Sequence, residues 1–400
     1  MRPGPNLARL APLAVAVLLV GCGGAVPSGA DDANPTTPTP STARVSAGGY
    51  HTCAIAEDGR ASCWGLGDSG QLGDGATASS ATPVAVAAPD GVTFIEVASG
   101  NAHTCAIADD GSVWCWGVDL DGGDEADRNA VHGPERVALP DGMRVLSLDG
   151  TYHDCAATQD GGAWCWGRGT EGQLGDGAAS DAVAPVAVAT PDGVAFARIV
   201  AGGFHTCALD AEGAAWCWGQ DLHGQLGDGA TAADRAVPGR VAAPETVRFV
   251  ALSAGFNHTC ALDADGAAWC WGEGTSGQLG DGATDDASAP VAVAMPGGVR
   301  FAAIDAGNAH TCALATGGSV WCWGLGIQGV ATAFGVSFSP SAFAVGPGEA
   351  VVAVGAGGFH SCALLADASV WCWGDDALGQ LGDGTAGGTS EPVRIVDLAA

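Results

Sequence analysis

A pair of cysteines ten residues apart recurs seven times in this 400-residue chain, and no other feature restricts the fold as much. The pairs are Cys53 and Cys63, Cys105 and Cys115, Cys155 and Cys165, Cys207 and Cys217, Cys260 and Cys270, Cys312 and Cys322, and Cys362 and Cys372. A histidine stands two positions before each pair, at His51, His103, His153, His205, His258, His310 and His360, so the repeat is 50 to 53 residues long. Seven copies fill the chain from Arg44 onward. Copies of this kind bury their apolar faces against one another, in an open stack or a closed ring.

Each copy reads as an apolar stretch ending in Ala-Gly, then "HTCAL", an acidic or Gly turn, "WCWG", a loop often "GQLGDG", and "PVAV". In the fourth copy the four strand candidates are "RIVAG", "HTCAL", "AAWCW" and "GRVAA". Short strands at even spacing, with Gly/Asp turns between them, predict an all-β fold. Four strands per repeat fit a β-propeller blade. Seven blades close a ring without a free sheet edge, whereas a solenoid needs capping repeats that are not evident here. The expected fold is therefore a seven-bladed β-propeller over 45–400, monomeric, with four short antiparallel strands per blade. Whether strands from the two ends share one blade stays open at this level.

The stretch "AGGFHTCALDAEGAAWCWGQDLHGQLGDG", Ala201 to Gly229, resembles the repeat of the regulator of chromosome condensation family. The shared marks are Gly-x-x-His, an acid-Gly hairpin turn, Trp-Gly and Gly-Gln-Leu-Gly-x-Gly. The resemblance covers all seven copies and implies a seven-bladed propeller. The cysteine pair is the departure from the family's eukaryotic repeats.

The spacing of ten follows from hairpin geometry. A three-residue loop Glu57-Asp58-Gly59 sets Ala56 opposite Arg60. Counting outward then sets Cys53 opposite Cys63. If Ala56 and Arg60 are a hydrogen-bonded pair, alternation makes the cysteines a non-hydrogen-bonded pair, about 4.5 Å apart at Cα and within disulfide reach. Seven disulfides, each inside its own hairpin, are expected. The rival is zinc, since His51, Cys53 and Cys63 share a strand face. It lacks a fourth ligand and suits an oxidising compartment poorly, so neither metal nor cofactor is expected. The histidines then read as structural, bonding backbone near the blade's inner end, and the paired tryptophans as inter-blade packing.

An oxidising compartment agrees with the first residues. Arg2 and Arg9 precede an apolar run, Leu10 to Val20, too short to span a bilayer and suited to a signal-peptide core. The run ends in "LVGC", which resembles the lipobox of bacterial lipoproteins and implies cleavage of 1–21 and lipid on Cys22. Cys22 is the one cysteine outside the repeats. Gly23 after it favours the outer over the inner membrane. Residues 22–44, rich in Gly, Pro, Ser and Thr, read as a flexible tether. The expected location is the bacterial cell envelope, with the lipid as the only membrane contact.

The formal charge is −30, with no lysine in the chain, which argues against nucleic acid as a partner. Repeats two and six abandon "GQLGDG". Repeat two has Asp119, Asp121, Asp124, Glu125 and Asp127 in its place, without the spacing of a calcium loop. Repeat six has Ile327, Val330, Phe334, Phe338 and Phe343. An asymmetric ligand needs asymmetric loops, so Ile327, Phe334 and Phe338 are the candidate partner-binding residues. No catalytic constellation is apparent. His132 and His223 are the only non-repeated histidines near an acid. The expected role is a binding module for a protein or glycan, not an enzyme. A propeller lyase or hydrolase is the alternative. So is an enzyme inhibitor, since secreted bacterial propellers that inhibit β-lactamases are similar. Guanine-nucleotide exchange, implied by the eukaryotic relatives, fits poorly with export.

Overall fold

The computed structural model describes residues 45–118, 133–230, 233–325, 336–346 and 348–395. Cys22 and its tether, the acidic residues Asp119 to Asp127, His132, Ile327, Val330 and Phe334 lie outside them. Phe338 and Phe343 fall on the strand Val336–Phe343, with their side chains outside the described set.

The first repeat forms β1 (Val45–Ala47), β2 (His51–Ile55), β3 (Ala61–Gly65) and β4 (Ser80–Ala85), an antiparallel sheet in chain order. Every repeat does the same, giving seven four-stranded sheets. Each blade is therefore made by one repeat, and the two ends of the chain do not share a sheet. The first strand of each blade lies innermost. These seven strands contact one another in sequence around the ring, the first meeting the seventh, and line a central channel.

No blade has a core of its own. The seven buried clusters each join two adjacent blades, because a thin sheet of Ala, Val and Gly buries its faces only against a neighbour. Leu72 of "GQLGDG", fully buried, packs with Phe94 and Trp116 of the next blade. The ring closes the same way, with Val45, Ala54 and Trp64 against Cys362, Leu364 and Leu381.

The hairpins follow the expected register. Ala56 N donates to Arg60 O at 2.8 Å, Gly59 N donates to Ala56 O at 3.0 Å, and Gly59 has the positive φ (83°) that the turn requires. Cys53 then pairs directly with Cys63. All seven pairs are disulfide-bonded within their own hairpins. The bridges join Cys53 to Cys63, Cys105 to Cys115, Cys155 to Cys165, Cys207 to Cys217, Cys260 to Cys270, Cys312 to Cys322, and Cys362 to Cys372. Their Cα atoms lie 4.1 Å apart, somewhat closer than the roughly 4.5 Å of an ordinary non-hydrogen-bonded pair.

One irregularity beside the bridges was not expected from the strand count. The ladder between the third and fourth strands loses register just after Cys63, Cys165, Cys217, Cys270, Cys322 and Cys372. In each of these blades the slipped part of the fourth strand contains a proline: Pro83, Pro185, Pro238, Pro290, Pro340 and Pro392. Proline has no N–H to give the ladder, so it is tolerated only on this outer edge strand and at the bulge it helps to make.

Candidate binding face and central channel

The repeated histidines do not bond backbone, as the sequence suggested. Each reaches across the junction to a side chain of the next blade. His153 Nε2 lies 2.6 Å from Thr206 Oγ1, and Thr206 donates its hydroxyl to the Gln173 carbonyl at 2.8 Å. The Trp218 indole donates to that same carbonyl at 2.8 Å. With the threonine proton committed, His153 Nε2 must be the donor, and its Nδ1 is left buried without a partner. Burial holds the ring neutral, with its pKa pushed down to about 3. The same arrangement recurs with His51/Thr104/Gln71/Trp116, His205/Thr259/Gln225/Trp271, His258/Thr311/Gln278/Trp323 and His360/Thr52/Gln380/Trp64. The last of these closes the ring.

"GQLGDG" is thus a clamp as well as a loop. Its glutamine supplies a carbonyl, its leucine fills the junction, and its Asp74 caps the turn by accepting from Ala76 N at 3.0 Å. Gly73 (φ 70°) lets the loop approach the Trp116 indole, where a Cβ would sit 2.6 Å from Nε1. Repeats two and six lack the glutamine, and in the repeats that follow them the threonine is replaced too, by Asp154 and Ser361. His310 bonds Ser361 at 2.9 Å. His103 bonds the Asp154 carboxylate at 3.0 Å, with both groups buried, and Asp154 Oδ2 has no partner among the described residues. Cys105 lies close to this pair, yet its sulfur is in a disulfide and so is not a metal ligand.

One face of the ring differs strongly from blade to blade. The residue before each histidine accepts the N–H that opens that blade's long loop, as in Leu66 N to Tyr50 O at 2.9 Å and Arg168 N to Tyr152 O at 3.2 Å. The turns and the long loops therefore emerge together. The residues at this position are Tyr50, Ala102, Tyr152, Phe204, Asn257, Ala309 and Phe359. Tyr152 stacks on Phe204 with ring centres 5.5 Å apart, and Phe256 meets Phe204 edge-on at 5.3 Å. Tyr50 lies 5.9 Å from Phe359. The Arg168 guanidinium sits 4.7 Å over the Phe204 ring and bonds Glu171 at 3.0 Å. None of these five rings is fully buried, and Phe359 is 43% exposed. Both tyrosines of the chain are among them. Tyr152 and Phe256 also line a small cavity of about 60 Å³ at the channel mouth, with Asn101, Asn308 and a ring of glycines.

Below the mouth the channel opens to about 320 Å³. Polar side chains on its wall clasp one inner strand to another. Asp149 accepts from Gly150 N at 2.9 Å and Ala201 N at 3.0 Å. Asp305 accepts from the Ser253 hydroxyl at 2.8 Å and Ala356 N at 2.7 Å. Glu96 accepts from Leu148 N at 3.2 Å. Burial pushes these acids up, Glu96 to about 8, Asp149 to about 7 and Asp305 to about 6, with Asp149 adding to the rise at Glu96 and Asp305 to that at Asp149.

The sequence did not single out the rim or the channel acids. The rim residues occupy a variable position of a repeat, and only ring closure brings them together. Leu325, the last described residue before Ile327 and Phe334, bonds Ala309 O on this same face. His223 does meet an acid, Asp286 of the next blade, at 2.8 Å, but the contact is half exposed.

Two models of the regulator of chromosome condensation (RCC1) repeat match this chain. One covers residues 58–107, 160–209, 212–262 and 265–314. The other covers 43–71, 94–122, 196–225, 249–278, 301–329 and 351–380. The ultraviolet-B receptor UVR8 of Arabidopsis thaliana is 30% identical over 291 residues, 71% of this chain and 65% of that protein. The E3 ubiquitin-protein ligase HERC2 of Mus musculus is 28% identical over 276 residues, 68% of this chain and 6% of the ligase. The chain thus spans less than two thirds of these relatives. Among solved structures, human WBSCR16 superposes with a TM-score of 0.75 at 21% identity, covering 84% of this chain and 94% of that one. Prp20p of Saccharomyces cerevisiae superposes with a TM-score of 0.74 at 24% identity, covering 86% and 87%. Repeat, ring and clamp loop together make this chain a member of the regulator of chromosome condensation (RCC1) repeat family.

Proposed function

We propose that this protein is an interaction module, held at the bacterial cell envelope by lipid on Cys22, that binds a partner protein on its aromatic face. The observation that carries the reading is the rim of Tyr50, Tyr152, Phe204, Phe256 and Phe359 around one mouth of the channel. Half-exposed aromatics supply large contact area at low entropic cost and are favoured in interfaces. Relatives of this fold engage proteins. Prp20p is described as binding Gsp1p and histones, and yeast RCC1 has been solved bound to Kap60. The enzyme alternative is less well supported. The buried His103–Asp154 pair is turned into a blade junction, and among the described residues the sulfur beside it, that of Cys105, is held in a disulfide. The apolar run before Cys22 supports the anchor.

The test uses envelope extract and the full chain. Phe204→Ala/Phe359→Ala should lose partner capture with little change in melting temperature, and Cys22→Ser should leave the membrane fraction. Capture untouched by the rim variant in a folded protein would reject the face. Membrane retention of Cys22→Ser would reject the anchor. Binding to immobilised glycans, with no protein captured, would change the partner class.

A further inference from the structure

We propose that the Cys105–Cys115 bridge is a thiol-exchange site, at which a small thiol of the size of cysteine attacks Cys115 and leaves it as a mixed disulfide. His103, held by Asp154, handles the proton. The proposal stands apart from the aromatic face.

Cys115 is the first ground. Every other bridged cysteine is 0–1% exposed, whereas Cys115 is half-buried. The cause is local. Its outer neighbour is the two-residue strand Glu135–Arg136, while the fourth strand of each other blade has six residues or eight. Cys115 pairs with Glu135 at the very end of that short ladder. It lines a cavity of about 230 Å³ together with His103, Trp116, Trp166, Glu135 and Arg136. One water needs only roughly 15 Å³, so the cavity has room for a molecule of several heavy atoms. Access of this kind is what an entering thiol requires, and the other six bridges deny it.

Behind the bridge stands a pair that the other junctions lack. One nitrogen of His103, one carboxylate oxygen of Asp154 and the Cys105 sulfur all lie within 4.8 Å of one another. The other six repeats carry a threonine or a serine at the place of Asp154. Asp154 is fully buried, and its Oδ2 has no partner among the described residues. Buried carboxylates are ordinarily satisfied, so the bridged form is short of one donor. A disulfide has no S–H to give. Opening the bridge makes Cys105 a thiol beside this carboxylate, and a thiol is a donor.

The exchange balances without an added oxidant or reductant. His103 lines the cavity, and Asp154 accepts from its Nε2, so Nδ1 is the nitrogen that takes the proton of the entering thiol. The Asp154 carboxylate holds the imidazolium that forms. The thiolate attacks Cys115 Sγ, the bond to Cys105 breaks, and Cys105 leaves with the electron pair. His103 returns the proton to the departing sulfur. One disulfide and one thiol enter, and one mixed disulfide on Cys115 and one thiol at Cys105 result. Arg136 is the cation on the cavity wall, and a nearby cation favours a thiolate. Glu135 on the same wall has an interaction of its own.

The experiment incubates the full chain, undenatured, with excess cysteine for increasing times, then quenches in acid, alkylates free thiols and maps the peptides. Cysteine should appear on Cys115 and the alkyl label on Cys105, at least about tenfold faster than at any other bridge. Asp154→Thr installs the residue that the neighbouring repeats carry. It should slow exchange at Cys115 by about tenfold near pH 7, and its rate should climb about tenfold per pH unit, the slope of thiolate formation alone. Wild type should show a flatter profile, because His103 supplies the base. Thermal melts and mapping without added thiol establish that the variant is folded and bridged, and Asp154→Asn serves if it is not. Opening of all seven bridges at one rate, another bridge opening first, or cysteine on Cys105 with Cys115 set free overturns the site. So does an Asp154→Thr rate and pH profile equal to wild type, since the pair then takes no part in the exchange.

Discussion

At the scale of single residues, a four-group clamp ties each blade to the next. Histidine, threonine hydroxyl, glutamine carbonyl and indole N–H converge where two sheets meet. The sequence records this coupling within one chain. Repeats two and six drop the glutamine of "GQLGDG", and the repeats that follow them drop the threonine, with Asp154 and Ser361 in its place. Thr206→Val keeps the shape and removes the hydroxyl, leaving His153 Nε2 buried without an acceptor. The expected loss is about 1–3 kcal/mol in denaturant unfolding, the usual result of orphaning a buried polar group. Ser361→Ala should cost His310 its partner in the same way. A Thr206→Val loss of only a few tenths would show that the clamp contributes little.

At the scale of the hairpin, each disulfide closes a short loop between a strand pair already in register. Replacing both Cys207 and Cys217 by Ala removes a constraint on about eleven residues, worth roughly 3 kcal/mol in the chain-entropy model. The sulfurs are also buried against the neighbouring blade, so the loss should reach or exceed that figure. The effect should stay local, with the other six bridges intact. Peptide mapping without reductant should find Cys53 with Cys63, Cys155 with Cys165, Cys260 with Cys270, and likewise in each repeat. A substantial yield of peptides linking different repeats would defeat the register argument.

At the scale of the whole ring, two sets of buried titratable groups oppose each other. Burial lowers the pKa of His51, His153, His205, His258 and His360 to about 3 and of His310 to about 4. Unfolded histidines take up protons below about 6.5 and these six do not, so stability falls as pH drops below that value. Glu96, Asp149 and Asp305 are raised, and so are Asp221, to about 6, and Asp376. The folded state holds those protons longer, so their contribution is greatest in acid and is lost as pH rises through about 6 to 8. Six histidines outweigh five acids below pH 6, while the acids alone act above 7. Melting temperature should therefore peak near pH 6–7, fall steeply in acid and decline gently toward pH 8. A melting temperature that rises steadily from pH 5 to pH 8 contradicts this.

Repeat length, strand alternation and the cysteine spacing determined the propeller, its seven blades and every bridge. These are local quantities: a hairpin register is settled by three turn residues and a count along two strands, and Gly59 shows its need for a positive φ in the sequence itself. The clamp was half legible. The histidine was visible as a repeated polar group, but its partner lies about fifty residues away on the next blade, and nothing along the chain says which side chain the ring brings there. The rim and the channel acids belong to the tertiary structure alone. Tyr50 and Phe359 stand at opposite ends of the repeat array and meet because the ring closes. Glu96, Asp149 and Asp305 read as scattered acids on short strands until seven inner strands gather them around one channel, where burial raises all three, Asp149 adds to the rise at Glu96 and Asp305 to that at Asp149.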